Sequence, residues 1–294
     1  MGVAFERIII VMLENSTRAN VLANPYMNRL RRKGVFLSHS YGVTHSSQPN
    51  YIVSVAGDSF GLYDDTPGYA QWIYERGSYP ITSIVDLLEA QRLTWRAYAE
   101  DLPTDYNAQA VQGLQASPVT TPPDQYPFAR KHVPILAFPN IVANPARLAN
   151  IVEAAQFEQD LAAGKLPNYS WYTPNLINDG HDITPEQQQI DVGDTNRHIN
   201  IENIAAFLKT FLSDDPLAKF PAETLIVITF DEAYPYHDPY AVYTLLIGDM
   251  LPAGTTRTEP YNHYSLLRSV EVNFGLGSLK RNDVAATPYW FLPR

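Results

Sequence analysis

The chain has 294 residues and is 45% hydrophobic, enough for a substantial core, yet no run of about 18 apolar residues exists to form a transmembrane helix. The net charge is −10, from 31 acidic and 21 basic residues, and only Arg31-Arg32-Lys33 clusters, so no basic stripe for nucleic acid is present. Cysteine is absent, which excludes disulfides, thiol catalysis and thiolate metal sites.

The elements follow in order. Residues 6–13 read as a buried strand, short, β-branched and mostly apolar. Residues 25–33 read as a helix, capped by Asn24, opened by Pro25 and closed by Gly34. A second strand is expected at 35–43 and a helix at 47–56, ended by Gly57. Ile84, Val85, Leu87 and Leu88 have helical spacing behind Thr82 or Ser83 as cap, and 94–99 is the next strand. Residues 103–140 hold seven prolines and read as an ordered excursion over the surface. A helix at 152–163, a strand at 169–172 and an amphipathic helix at 196–212 come next. Strands at 225–230 and 242–247 and a helix at 263–274 complete the pattern. Strands alternating with helices predict an α/β, three-layer sandwich around a mostly parallel sheet, with 1–294 as a single domain. No internal repeat or low-complexity tract is visible.

Residues 1–7 enter the first strand without a basic and apolar leader, so the chain is read as cytoplasmic or as exported after removal of a leader. Glu6 occupies the position where a myristoylation signal needs Ser or Thr. Nineteen tyrosines and 23 prolines fit the loop-rich style of exported enzymes.

In parallel sheets, ligands bind outside the carboxyl ends of strands. Glu14-Asn15 and Asp231-Glu232 both fall at such ends. Either pair alone reads equally well as loop and helix capping. Together they form a set of hard oxygen donors suited to Mg²⁺, Ca²⁺ or Mn²⁺. In His45-Ser46-Ser47-Gln48-Pro49-Asn50, a serine opens a helix, where the dipole and free N–H groups favour an alkoxide and an incoming phosphoryl group. Ser47, nearer Pro49-Asn50, is the preferred nucleophile; a lone serine there is also an ordinary cap. In Asn178-Asp179-Gly180-His181-Asp182, His181 can donate to a phosphoryl or leaving oxygen, oriented by Asp179 or Asp182. His263 opens the last helix, and His237 closely follows the acidic pair. His39, His132 and His198 lack supporting context and read as structural. The combination points to metal-assisted hydrolysis of a phosphate ester.

At these residues the chain resembles the phosphoesterase family that groups bacterial phospholipases C with bacterial and fungal acid phosphatases, a branch of the alkaline phosphatase superfamily. The matching segments are Val11-Met12-Leu13-Glu14-Asn15, His45 to Tyr51 with Ala56-Gly57-Asp58-Ser59, Trp95 to Glu100, Pro174-Asn175 with Asn178 to Asp182, Thr229-Phe230-Asp231-Glu232, and Asn262 to Arg268. They stand in the family's order over nearly the whole chain. The resemblance implies an alkaline-phosphatase-like fold and one divalent cation (Mg²⁺, Ca²⁺, Mn²⁺ or Zn²⁺) held by Glu14, Asn15, Asp231 and Glu232, with Ser47 touching it as nucleophile. It also implies that His45, His181, His263 and Asn50 contact the phosphoryl group, and Asp179 is read as a further substrate-binding residue. Superfamily members with two metals carry Asp-His where this chain has Asp231-Glu232. One cation, with histidines sharing its work, is therefore expected.

The expected activity is that of an acid-phosphatase-like phosphomonoesterase with a phosphoserine intermediate, acting on a small phosphate ester and secreted or periplasmic by kinship. The alternative is a phosphodiesterase or phospholipase C acting on lipid headgroups, walled by Tyr63, Trp72 and aromatics of the proline-rich excursion. A cation-dependent binding module without catalysis is a third reading, and it has no use for a hydroxyl nucleophile at a helix start.

Overall fold

The computed structural model describes residues 3–65, 81–103, 126–189, 197–234 and 241–292. Its centre is built from two apolar runs, β1 (Arg7–Leu13) and β6 (Thr224–Phe230). All seven residues of β6 and six of the seven in β1 are buried, as strands covered on both faces require. The other strands are β2 (Val35–Tyr41), β3 (Trp95–Ala99), β4 (Ile151–Glu153), β5 (Tyr169–Thr173), β7 (Ala241–Ile247), β8 (Thr255–Arg257) and β9 (Tyr261–Asn262). They form one sheet in the order β4-β3-β5-β1-β6-β7-β2-β8, with β9 also on β2. Only β7 runs antiparallel to its neighbours, β6 and β2; the other pairings are parallel.

Alternate residues of β1 face opposite cores. Ile8, Ile10 and Met12 pack with the helices Ser47–Ala56, Ile84–Ala90 and His263–Phe274. Ile9, Val11 and Leu13 pack with Arg18–Ala23, Pro25–Leu30, Ala155–Ala162 and His198–Leu212. Each fully buried aliphatic side chain contributes about 1.5–3 kcal/mol to this sandwich. The result is the α/β layering expected from the sequence, and the carboxyl ends of β1, β5 and β6 open on one side.

The structure corrects several details. The helix expected at 152–163 begins only at Ala155; Ile151 and Val152 instead form the edge strand β4, pairing with Ala97 and Tyr98. The helix expected over 25–33 ends at Leu30 and tightens into a 3₁₀ turn over Arg31–Lys33. An additional helix, Arg18–Ala23, is capped by the Thr17 hydroxyl, which accepts from Asn20 N–H. Strands β8 and β9, of three and two residues, are too short to carry a period. The largest change concerns the proline-rich excursion. Residues 104–125 lie outside the described residues, but 128–142 are not a surface loop. Phe128, Val133, Ile135, Phe138 and Ile141 are at most 1% exposed and join the core beside the Ser47–Ala56 helix. The chain hides its backbone there with two 3₁₀ turns, Arg130–His132 and Pro134–Ala137, and a short helix, Pro139–Val142. Trp72 and His237 lie outside the described residues.

Candidate active site

Parallel pairing of β1 with β6 sets Leu13 against Phe230, so the next residues, Glu14 and Asp231, emerge side by side. Asp231 N–H continues the ladder onto Leu13 C=O at 3.0 Å. Asn15 turns away with φ 50°, a left-handed conformation that asparagine tolerates, and its N–H donates to Asp231 Oδ1 at 3.1 Å. Glu14 N–H donates to Asp179 C=O at 2.8 Å, which draws in the loop after β5. Glu14, Asp179 and Asp231 are 0% exposed and Glu232 is 2% exposed.

Ser47 opens the Ser47–Ala56 helix, with Ser46 as N-cap. Its Oγ donates to Glu14 Oε2 at 2.9 Å, close to the Asp231 and Glu232 carboxyls. Asn50 secures the loop before it. Its Oδ1 accepts from Val43 and Thr44 N–H, and its Nδ2 donates to Thr44 and Ser46 C=O. Asn50, expected to touch substrate, thus spends its amide on the backbone that delivers Ser47.

The histidines divide the work. His45 Nδ1 pairs with Glu232 Oε2. His181 Nδ1 is paired with Asp182 Oδ1 at 2.7 Å, while its N–H donates to Asp179 Oδ1 at 2.7 Å. Arg197 donates to the carbonyls of Gly180 and His181, fixing that turn. His263, on a helix capped by Asn262, donates from Nε2 to the main-chain carbonyl of Asp231 at 2.6 Å. Because a carbonyl only accepts, this proton is committed, and burial holds the His263 pKa down to about 4. His263 therefore braces Asp231 as a neutral imidazole.

His132, read from the sequence as structural, is wholly buried at the centre. Its Nδ1 pairs with Asp179 Oδ2 at 2.9 Å, and its Nε2 lies 3.1 Å from Glu14 Oε1. Tyr51 stacks on it with centroids 4.8 Å apart. Asp179, expected to bind substrate, has both carboxylate oxygens engaged by His132 and the His181 backbone. The missed signal was the apolar flank of Arg130-Lys131-His132: Phe128-Ala129 before it and Val133 after it mark a buried run. A histidine in a buried run needs polar partners.

Burial and mutual repulsion govern the electrostatics. The Glu14 carboxyl is pushed up to about 8 by burial and by Asp231. Burial and Glu232 raise Asp231 to about 8, and burial and Glu14 raise Glu232 to about 8. Burial drives His132 well below the usual imidazole range. Asp231 Oδ2 is buried without a hydrogen-bond partner, and Glu14 Oε1 and His132 Nε2 face each other across 3.1 Å without hydrogen-bond geometry. Among the described residues, donor atoms of Glu14, His132 and Asp179 lie within 4.8 Å of one another. Crowded carboxylates with orphaned oxygens fit a hard divalent cation, which offsets their repulsion and satisfies their lone pairs. Glu14 belongs to both groups, the one around Ser47 and the one around His132.

Known proteins similar to this chain are phosphatases and members of the alkaline phosphatase superfamily. The chain is 35% identical over 288 residues to a probable acid phosphatase of Kluyveromyces lactis, covering 96% of this chain and 61% of that protein's length. It is 30% identical over 278 residues to a phosphatidylinositol-3-phosphatase of Mycobacterium tuberculosis, covering 92% of this chain and 78% of the relative. A Vibrio parahaemolyticus protein of the alkaline phosphatase superfamily shares the fold, with a TM-score of 0.57 at 13% identity over 96% of this chain and 71% of that one. The profile of the phosphoesterase family matches residues 20–277, most of the chain: this chain belongs to the phosphoesterase family.

Proposed function

We propose that the chain hydrolyses phosphomonoesters as an acid phosphatase does, with Ser47 as nucleophile and a phosphoserine intermediate. The observation that carries this reading is the position of the Ser47 hydroxyl. It sits at a helix start, 2.9 Å from Glu14 Oε2 and among the carboxyls of Asp231 and Glu232. Glu14, Asn15, Asp231 and Glu232, with Ser47 itself, would hold one divalent cation (Mg²⁺, Ca²⁺, Mn²⁺ or Zn²⁺). When bound, it supplies positive charge that lowers the Ser47 pKa and offsets the phosphoryl oxygens.

The chain's own groups do the rest. Ser47 Oγ already points its proton at Glu14, so the oxygen is free to attack phosphorus in line. The Oγ–P bond forms as the bond to the leaving oxygen breaks. His45, and His181 in its doubly protonated form, supply donors to the equatorial and leaving oxygens. The positive end of the Ser47–Ala56 helix dipole favours the anion. Water then attacks the phosphoserine, releasing inorganic phosphate and restoring the Ser47 hydroxyl. The name of the Mycobacterium tuberculosis relative supports monoester chemistry and extends the candidate substrates to phosphate carried on a lipid.

The test is rapid acid quenching during turnover of p-nitrophenyl phosphate. A phosphorylated peptide containing Ser47 is expected by mass spectrometry. Full turnover by Ser47→Ala sinks the reading, and faster turnover of bis(p-nitrophenyl) phosphate than of the monoester redirects it to diesters.

A further inference from the structure

Beside the acidic centre stands a cation that the mechanism has not used. The Lys131 side chain is 13% exposed, and its ammonium lies 2.9 Å from Asp65 Oδ2 and 3.5 Å from His181 Nε2. Asp65 Oδ1 in turn accepts from the N–H of Gln48, the residue after Ser47, at 2.9 Å. One carboxylate therefore ties the ammonium to the first turn of the nucleophile's helix. The field of Lys131 reaches both Glu14 and Glu232 and draws their carboxyls down.

Charge counting shows what such a cation is for. Glu14, Asp231 and Glu232, all ionised, carry −3; one divalent cation leaves −1. A phosphomonoester is a dianion above its second pKa of about 6, whereas a diester carries one charge. The dianion meets a centre that still repels it unless further positive charge stands close by. Asp65 is 34% exposed, so water can receive its carboxylate when a phosphoryl oxygen takes its place on the ammonium. We propose that Lys131 binds the phosphoryl group directly and sets the preference for dianionic monoesters over monoanionic diesters. Lysine suits this task as a compact point charge with three donors.

This inference rests on the phosphomonoesterase reading, and two measurements on the full chain keep the two apart. The first is calorimetric titration of inorganic phosphate at pH 8 into the cation-loaded wild type, Lys131→Gln and Lys131→Arg. Lys131→Gln should weaken phosphate binding by about tenfold to a hundredfold, the worth of a hydrogen bond to a charged group, with Lys131→Arg between. The second is kcat/KM for p-nitrophenyl phosphate against methyl p-nitrophenyl phosphate. Lys131→Gln should lose activity on the monoester by about the same factor and on the diester by less than about fivefold. Unchanged melting temperatures show that the variants fold. Wild-type phosphate affinity in Lys131→Gln, or equal losses on both esters, overturns the role of Lys131. Phosphate binding that depends on Lys131 in a wild type without turnover upholds Lys131 and removes the phosphatase reading.

Discussion

Ser47 Oγ donates to Glu14 Oε2 across 2.9 Å, joining the first turn of a helix to the end of a strand 33 residues earlier. The bond makes Glu14 both a partner of the hydroxyl and a member of a repelling acidic group. Glu14→Gln should therefore separate stability from function. Above pH 8, where these carboxyls ionise, the neutral amide relieves repulsion from Asp231, so the metal-free variant should melt higher there than metal-free wild type, while cation affinity and turnover fall. Calorimetric melting with a chelator, followed by cation titration, checks both signs. A lower melting temperature contradicts the repulsion argument.

Ser47→Ala should keep the fold, since the methyl fits where the Cβ already sits. Turnover should drop by about 10³-fold or more, because the covalent route closes. Cation affinity should fall only modestly, as the four other ligands stay. Stopped assays with p-nitrophenyl phosphate measure the first, and isothermal titration measures the second.

Cation binding should release protons. In the metal-free protein Glu14, Asp231 and Glu232 titrate near 8, so at pH 6 they hold protons that a cation must displace. Affinity should rise as pH climbs from 6 to 8, with proton release visible in buffers of different ionisation enthalpy. The sign for stability is opposite. These carboxyls bind protons more tightly folded than unfolded, where Asp titrates at 3.8 and Glu at 4.5. Their contribution is complete at low pH, and the metal-free fold loses it as pH rises toward 8. Urea midpoints at pH 5 and pH 8 with chelator test this; an increase between them contradicts it.

His132→Ala should destabilise by about 1–3 kcal/mol, since it leaves the buried Asp179 carboxyl without its partner. Turnover should fall as well, because Asp179 holds the backbone of both Glu14 and His181. His132→Asn, which restores a donor, should recover part of the stability. Urea denaturation of the pair gives the comparison.

Gly180→Ala should disturb the same loop from the other side. Gly180 has φ +84°, and an added Cβ would meet Ile204 Cδ1 at 2.4 Å. Backbone strain of this kind costs about 1–3 kcal/mol. The double variant with Ile204→Val removes Cδ1 but keeps Cγ1, which the added Cβ meets at 2.8 Å, so at most a small recovery of melting temperature is expected.

Much of this arrangement is legible in the sequence because it is local. The runs ending in Leu13 and Phe230 declare buried strands, and the two polar pairs after them, taken together, read as a set of hard oxygen donors. Ser47, Asn262 and Gly57 mark helix ends with the residues that helix ends use. What the sequence hides is long-range. Nothing near His132 shows that it will lie between Glu14, 118 positions earlier, and Asp179, 47 later. Proline spacing suggested an outer loop for 128–142, but its apolar content won, since burying Phe138 and Ile141 outweighs the irregular backbone. Ile151 and Val152 took the strand form for a similar reason: an edge position beside β3 suits β-branched side chains better than a helix does. The committed proton of His263 depends on a carbonyl 32 residues away, which no local pattern reveals.

The pairing of β1 with β6 has a consequence for biosynthesis. Arg7 to Leu13 leave the ribosome more than two hundred residues before their sheet neighbours Thr224 to Phe230. A nascent chain shorter than that carries Glu14 without Asp231 and cannot assemble the acidic centre. The acidic centre is thus withheld until translation has passed Asp231.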